Sequence, residues 1–260
     1  MATVDTHAPG SFCWIELGTT DQNAAKQFYS RLLGWNAEDF PMGPNEFYTM
    51  FSLDGRNTAG CYKLTPDMTA HDLPPHWLLY IAVVNADETA AKITGAGGAV
   101  MKPPFDVMEF GRMAVCQDPT GAMFAVWQPK MHQGSGVEGV PGTLTWADLI
   151  TRDPARAAKF YQEVFGWQAE SGKDNSGYQH IKNGDKHIGG IPSAEDRTAS
   201  MPPHWLLYFL TEDCDASTAK AKEIGAKVIL PPTSMEGVGR WSIVADPQGV
   251  VFALFQSTHH

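Results

Sequence analysis

Apolar and polar residues along this chain alternate in two rhythms, one with the period of a strand and one with the period of a helix, and the whole series occurs twice. Residues 12–17 read as a strand. Asp21 stands where a helix N-cap belongs, its carboxylate able to accept from open amides of the first turn. Ala24, Ala25, Phe28, Leu32 and Leu33 follow at helical spacing, and Gly34 fits the stop. Strands are predicted next over 48–53 and 59–64. A second unit opens with a strand over 77–84 and a helix over 87–94, which ends near Gly95 and Gly97-Gly98. Strands over 113–116 and 123–128 flank a turn of Asp118, Pro119 and Gly121, residues suited to a tight reversal. Each half of the chain therefore predicts two βαβββ units.

The duplication is visible residue by residue. Trp14-Ile15-Glu16-Leu17 matches Trp146-Ala147-Asp148-Leu149 at an offset of 132, as do Asp21 and Asp153, Phe28-Tyr29 and Phe160-Tyr161, and Gly34-Trp35 and Gly166-Trp167. In the second copy Pro154 takes the first helical position, where its missing N–H costs nothing. Farther on, the run from Pro74 to Tyr80 recurs letter for letter from Pro202 to Tyr208, now at an offset of 128. Asp118-Pro119 and Gly121 map likewise onto Asp246-Pro247 and Gly249. Chance does not place so many rare tryptophans in register. The smaller offset means four residues are missing from the second copy, expected in the loop around Phe40 to Asn45. The copies span 11–128 and 143–256. The stretch 129–142, with Gly134, Gly136, Gly139, Pro141 and Gly142, reads as the linker.

Composition narrows the function classes. A formal charge of −10 and no basic stripe argue against nucleic acid. No apolar run approaches the ~20 residues of a membrane span, and the first residues lack a basic stretch followed by an apolar one, so a secretory signal is not expected. Cys13, Cys61, Cys116 and Cys214 are scattered without CxxC spacing and read as reduced thiols, which makes a cytoplasmic location the expectation. His259 and His260 are either native or a purification remnant and carry no weight.

The strand–Asp–helix–Phe-Tyr–Gly-Trp segment, followed by Gly-Arg, a strand and Asp-Pro-x-Gly (Gly111-Arg112 to Gly121; Gly239-Arg240 to Gly249), resembles the vicinal oxygen chelate superfamily. That superfamily includes glyoxalase I, bleomycin-resistance proteins and extradiol dioxygenases. The resemblance covers nearly the whole chain, twice. It implies an α+β fold: a tandem duplicated domain, each copy made of two βαβββ modules that form a curved, cup-shaped mixed sheet flanked by helices. It also implies metal ligands, usually His or Gln on the first strand of a module and Glu on the last. Those positions fall here at Trp14 and Trp146, near Leu78 and Leu206, and at Ala125 and Ala253. None can bind a divalent ion, which needs imidazole, thiolate or carboxylate donors. No cofactor is therefore expected, with an atypical divalent-metal site as the alternative.

Several residues are candidates for chemistry. His76 and His204 lie two residues before the second-module ligand positions, on the same strand face. They are either proton-transfer or ligand-binding groups at the cup rim, or strand caps following a Pro-Pro turn; a register shifted by two would make them metal ligands. Glu16 and Asp148 share a face with Trp14 and Trp146 and could act as general bases, with His76 a partner for Glu16, or be satisfied by backbone amides or by an arginine. Trp14, Trp127, Trp146 and Phe255 are expected to line the cups, which suits planar or apolar ligands, unless core side chains fill them. Arg112 and Arg240 are candidates to hold a ligand's anion or to form salt bridges. Two functions stand out: binding of a small, partly apolar molecule, and a glyoxalase-type lyase or isomerase acting on aldehyde-derived substrates. The two His and one Glu of a dioxygenase have no counterparts, and a degenerate structural module is the remaining reading. A monomer or a homodimer is expected, because paired domains can supply the interface that single-domain relatives gain by dimerising.

Overall fold

The computed structural model describes residues 2–44, 46–70, 72–172, 176–194 and 202–258, so His259 and His260 lie outside the described residues. The first copy opens with β1 (Ala2–Thr3), β2 (Phe12–Thr19), α1 (Gln22–Leu33), β3 (Asn36–Gly43), β4 (Glu46–Leu53) and β5 (Arg56–Lys63). It continues through α2 (Pro66–Ala70), β6 (His76–Ala82), α3 (Ala86–Gly95), β7 (Ala99–Val107), β8 (Gly111–Gln117) and β9 (Met123–Pro129). After β10 (Val137–Glu138), the second copy begins with β11 (Leu144–Ile150), α4 (Pro154–Phe165), β12 (Gln168–Ser171), β13 (Gln179–Asn183) and β14 (Lys186–Ile191). It ends with β15 (His204–Leu210), α5 (Cys214–Glu223), β16 (Lys227–Met235), β17 (Gly239–Ala245) and β18 (Val251–Ser257).

Each copy is one eight-stranded mixed sheet. The orders are β3-β4-β5-β2-β6-β9-β8-β7 and β12-β13-β14-β11-β15-β18-β17-β16, so the two modules of a copy join through an antiparallel central pair, β2·β6 or β11·β15. The local signals act as read. Asp21 caps α1 by accepting from the Ala24 amide, and Gly34 closes it in the left-handed conformation. Asp153 and Gly166 do the same for α4. The strands that the hydrophobic pattern did not show, β3 and β7, are the sheet edges. Edge strands are largely solvated, so alternation fades, and Pro103-Pro104 sits in β7 where ladder donors are dispensable.

The four-residue difference between copies is split between two places. Glu16 pairs with Gly60 across β2 and β5, and Asp148 with Gly190 across β11 and β14, which fixes an offset of 130 there. Two residues are therefore lost before these glycines and two between them and the Pro-Pro-His-Trp run, rather than all four around 40–45.

One face of each sheet carries its helices and packs against the other copy, so a single apolar cluster runs through both domains. Repeated motif residues lock this interface. The Tyr29 hydroxyl donates to Asp246 Oδ2 at 3.0 Å, and the Tyr161 hydroxyl donates to Asp118 Oδ2 at 3.2 Å. Trp77 and Trp205 donate to those same hydroxyls. Trp35 and Trp167 reach carbonyls of Gly142 and Gly10 at 2.8 and 2.9 Å. The 129–142 stretch is not loose: Ser135 and Gly136 amides bond Cys13 and Asn57 carbonyls, and β10 pairs with β1. With the helices committed to this core, the opposite sheet faces are left as the two cups.

Candidate functional site

Strand alternation sends Trp14, Glu16 and Gly18 of β2 to the cup face of domain 1. There Trp14 joins Leu78, Tyr80, Met113, Ala125 and Trp127 in one cluster. Domain 2 repeats it with Trp146, Leu206, Tyr208, Trp241, Ala253 and Phe255. Trp14, Leu78 and Ala125 thus converge, as do Trp146, Leu206 and Ala253. These side chains are indole, isobutyl and methyl groups. Among the described residues, no three His, Cys, Asp or Glu side chains gather closely enough to hold an ion.

The acids sit in matched networks. In domain 1 the Tyr80 hydroxyl donates to Glu16 Oε2 at 2.7 Å, Tyr48 also bonds this carboxyl, and Trp14 Nε1 donates to the Tyr48 hydroxyl at 3.3 Å. In domain 2 Asp148 accepts from Tyr208 at 2.7 Å, Tyr178 at 2.6 Å and Trp146 Nε1 at 3.1 Å. A glycine makes room for each outer tyrosine. A Cβ on Gly60 would lie 1.8 Å from the Tyr48 hydroxyl oxygen, and one on Gly190 would lie 1.8 Å from that of Tyr178. Sequence reading found the acids and the tryptophans but missed all four tyrosines. Tyr80 and Tyr208 were legible, since they end the repeated Pro-Pro-His-Trp-Leu-Leu-Tyr run on the same face as His76 and His204. Tyr48 and Tyr178 were hidden because they match at an offset of 130, between the two offsets that were visible.

The two cups differ. Asp148 is only 4% exposed, whereas Glu16 is half-buried; the rings run the other way, with Trp14, Tyr80 and Trp127 buried in domain 1 and Trp146, Trp241 and Phe255 half-buried in domain 2. Burial raises the Glu16 carboxyl above its ordinary range, partly offset by the Tyr80 and Tyr48 hydroxyls. Gly18 and Tyr62 stand at the Glu16 end of cup 1, where domain 2 has Ile150 and Pro192 at the matching places. At the other end, the linker residue His132 is clamped edge-on by Trp14 and Trp127 at 4.5 and 5.7 Å between ring centroids, and Trp127 Nε1 donates to its carbonyl. Burial lowers the His132 imidazole to about 4, with His7 adding to the effect. In cup 2, Trp241 Nε1 is buried without a hydrogen-bond partner, and His180 lies edge-on to Tyr178 and Trp146.

His76 and His204 open β6 and β15 at the rim. Each is fixed through Nδ1 to a proline carbonyl, Pro74 at 2.8 Å and Pro202 at 2.9 Å, and burial lowers both below the usual imidazole range. Among the described residues, the Glu16 carboxyl is hydrogen-bonded by tyrosines and not by His76. The arginines point the other way. Arg112 forks onto Asp87 at 2.7 and 2.8 Å, and Arg240 onto Asp215 at 2.5 and 2.8 Å, in the first turns of α3 and α5 on the helix side of the sheets. Alternation explains it: Met113 and Trp241 are the cup-facing neighbours, so Arg112 and Arg240 must face away. Surface clefts beside His7 and Gln128 and beside Asp21 and Lys63 lie outside the cups and do not include Glu16.

Two eight-stranded sheets, each built of paired modules around a cup, are the architecture of the tandem vicinal oxygen chelate fold. Solved structures share it. The Mn(II)-bound glyoxalase from Novosphingobium aromaticivorans aligns with a TM-score of 0.68 at 17% identity, over 95% of this chain and 82% of its own. The 2,3-dioxygenase LapB from Pseudomonas sp. KL28 aligns with a TM-score of 0.67 at 15% identity, over 96% and 94%. The chain belongs to the glyoxalase/bleomycin resistance protein/dioxygenase superfamily, whose family model matches residues 11–126 and again 143–254. Among its relatives, CFP32 of Mycobacterium bovis, provisionally named a glyoxylase, is 39% identical over 94% of this chain and 93% of its own length. The anthracycline biosynthesis protein DnrV of Streptomyces peucetius is 34% identical over 96% and 94%.

Proposed function

We propose that this chain is a small-molecule binding protein of the bleomycin-resistance type, which takes up a planar, partly apolar molecule in the cup of domain 1 without a resident divalent metal. One observation carries the reading. The positions that supply metal ligands in metal-dependent members converge here as Trp14, Leu78 and Ala125, an apolar wall with no lone pair to offer. The residues present do not fit an ion; the half-buried rings of Tyr48 and Tyr62 beside Glu16 are the faces a flat ligand would meet, over a floor of buried Trp14, Tyr80 and Trp127. An anthracycline is a fused-ring system, so the name of the Streptomyces relative agrees with a planar ligand. Domain 2, its acid sealed beneath Trp146, Tyr178 and Tyr208, serves as the structural partner. The protein acts in the cytoplasm, with its four buried cysteines reduced, as a monomer or a homodimer. No described helix is long and apolar enough to cross a membrane.

A second reading has a specific observation behind it. Glu16 has its carboxyl raised by burial and a tyrosine hydroxyl at 2.7 Å, which is the equipment of a proton-transfer group in a glyoxalase-type lyase or isomerase. Turnover of a methylglyoxal–thiol hemithioacetal by the wild type and by Glu16→Gln separates the two. The binding reading expects no consumption above background, with or without added manganese. Turnover that Glu16→Gln abolishes would replace it with the lyase.

A further inference from the structure

Glu16 differs from its counterpart Asp148 in how its charge is met. The Asp148 carboxylate is buried and takes an indole N–H and two phenol hydroxyls. Trp146 Nε1 reaches both Asp148 and the Tyr178 hydroxyl, at 3.1 and 2.9 Å, whereas in domain 1 the Trp14 indole N–H goes to the Tyr48 hydroxyl and Glu16, one methylene longer, has phenols as its hydrogen-bond donors. No Lys, Arg or His among the described residues forms an ion pair with it. His76 does not supply a charge, because burial favours its neutral form and its Nδ1 is held by Pro74.

What surrounds this carboxyl is aromatic. Tyr62 and Tyr80 stand on β5 and β6, which flank β2, Tyr48 stands on β4 beyond β5, and Trp14 lies two residues away on the same face of β2. The Tyr62 hydroxyl, His76 Cε1 and Leu64 Cδ2 each stand 3.0 Å from the place a Cβ on Gly18 would take, so Gly18 is what lets Tyr62 and His76 close in beside Glu16. A carboxylate withdrawn from bulk water is costly unless something positive meets it. Ring faces add attraction for a cation and none for an anion. A hard divalent ion would need several further oxygen donors, which the wall lacks. An organic ammonium needs one counter-ion and π surfaces, and both are present.

We propose that the cup of domain 1 recognises an ammonium group on its planar ligand, with Glu16 as the counter-ion and the half-buried Tyr48 and Tyr62 as the π walls that meet it, above a floor of Trp14 and Tyr80. This rests on the reading of that cup as the binding site, and it names the chemical class the site selects. The net charge of −10 draws cations toward the molecule as a whole. Because burial favours the protonated carboxyl, binding an ammonium expels that proton. Affinity therefore rises with pH as Glu16 ionises; the titratable groups facing it are Tyr48, Tyr62, Tyr80 and His76, and the phenols are held protonated by burial.

The test uses two probes of one shape, 9-(aminomethyl)anthracene and 9-anthracenemethanol, titrated into the intact protein by fluorescence. The wild type is expected to bind the ammonium about tenfold more tightly than the alcohol. Glu16→Gln should erase that preference, leaving the two probes with equal affinity. Tyr62→Leu, which leaves Glu16 in place, should weaken the ammonium selectively, and thermal unfolding of both variants checks that they fold. Equal affinity of the wild type for both probes, or a preference that survives in Glu16→Gln, overturns the ammonium inference alone. Binding of neither probe overturns the cup reading and the inference together.

Discussion

Trp35→Ala is expected to lower the unfolding free energy by roughly 3–5 kcal/mol, the range for truncating a large buried aromatic side chain. The indole is 2% exposed and packs on Tyr29, Phe51 and Trp77 of its own copy and on Phe209 of the other. Its removal opens a void in the cluster common to both domains and leaves the Gly142 carbonyl, which Trp35 Nε1 meets at 2.8 Å, without that donor. Because that cluster is continuous, the two copies should unfold in one transition, in the wild type and in the variant alike. Urea unfolding followed by fluorescence and by far-UV circular dichroism checks both statements. A loss below about 1 kcal/mol, or two separate transitions in the wild type, would mean that the copies stand independently.

Gly60→Ala should have the largest effect on the cup. The added methyl meets the Tyr48 hydroxyl at 1.8 Å, a distance no side chain accommodates, so Tyr48 must leave its place between Trp14 and Glu16. Overpacking of this kind costs about 1–3 kcal/mol. Affinity for a planar ligand is expected to fall by about tenfold, since the displaced ring both fills the bowl and uncovers the carboxyl. In a Tyr48→Ala background the same substitution should become nearly neutral for stability, because the clash is gone. A double-mutant cycle read by thermal unfolding measures that coupling. A Gly60→Ala protein with full affinity would show that Tyr48 has no part in the site.

Much of this architecture was legible because it repeats. The capped helices and the central strands follow from periodicity and from the two offsets, the family resemblance implied that Trp14, Leu78 and Ala125 share one place, and the structure keeps all of these. The interface was not legible. Tyr29 and Asp246 stand 217 residues apart, and nothing local marks a hydroxyl and a carboxylate as partners over that distance. Repetition flagged Phe28-Tyr29 and Asp118-Pro119 as motif residues without showing that they bridge the copies. Sequence alone left the arginines between a ligand's anion and a salt bridge, because Gly-Arg opens a strand at the cup's edge, and the structure shows the salt bridges. One residue of alternation decides which face a side chain takes, and Arg112 and Arg240 fall on the helix side. The cup tyrosines depend on glycines in neighbouring strands, a pairing that appears only once the register Glu16↔Gly60 is known.

The central claim is that the domain-1 cup binds a planar molecule without a resident metal ion. Its most direct test is elemental analysis of natively purified protein ending at Thr258, so that His259 and His260 cannot contribute, with the same sample then titrated with 9-(aminomethyl)anthracene. Substoichiometric zinc, nickel, manganese and iron are expected, together with saturable binding that a chelator leaves unchanged. Near-stoichiometric metal, or binding that the chelator abolishes, would contradict that claim. The acids and histidines around the cups would then have to be reconsidered as ligands.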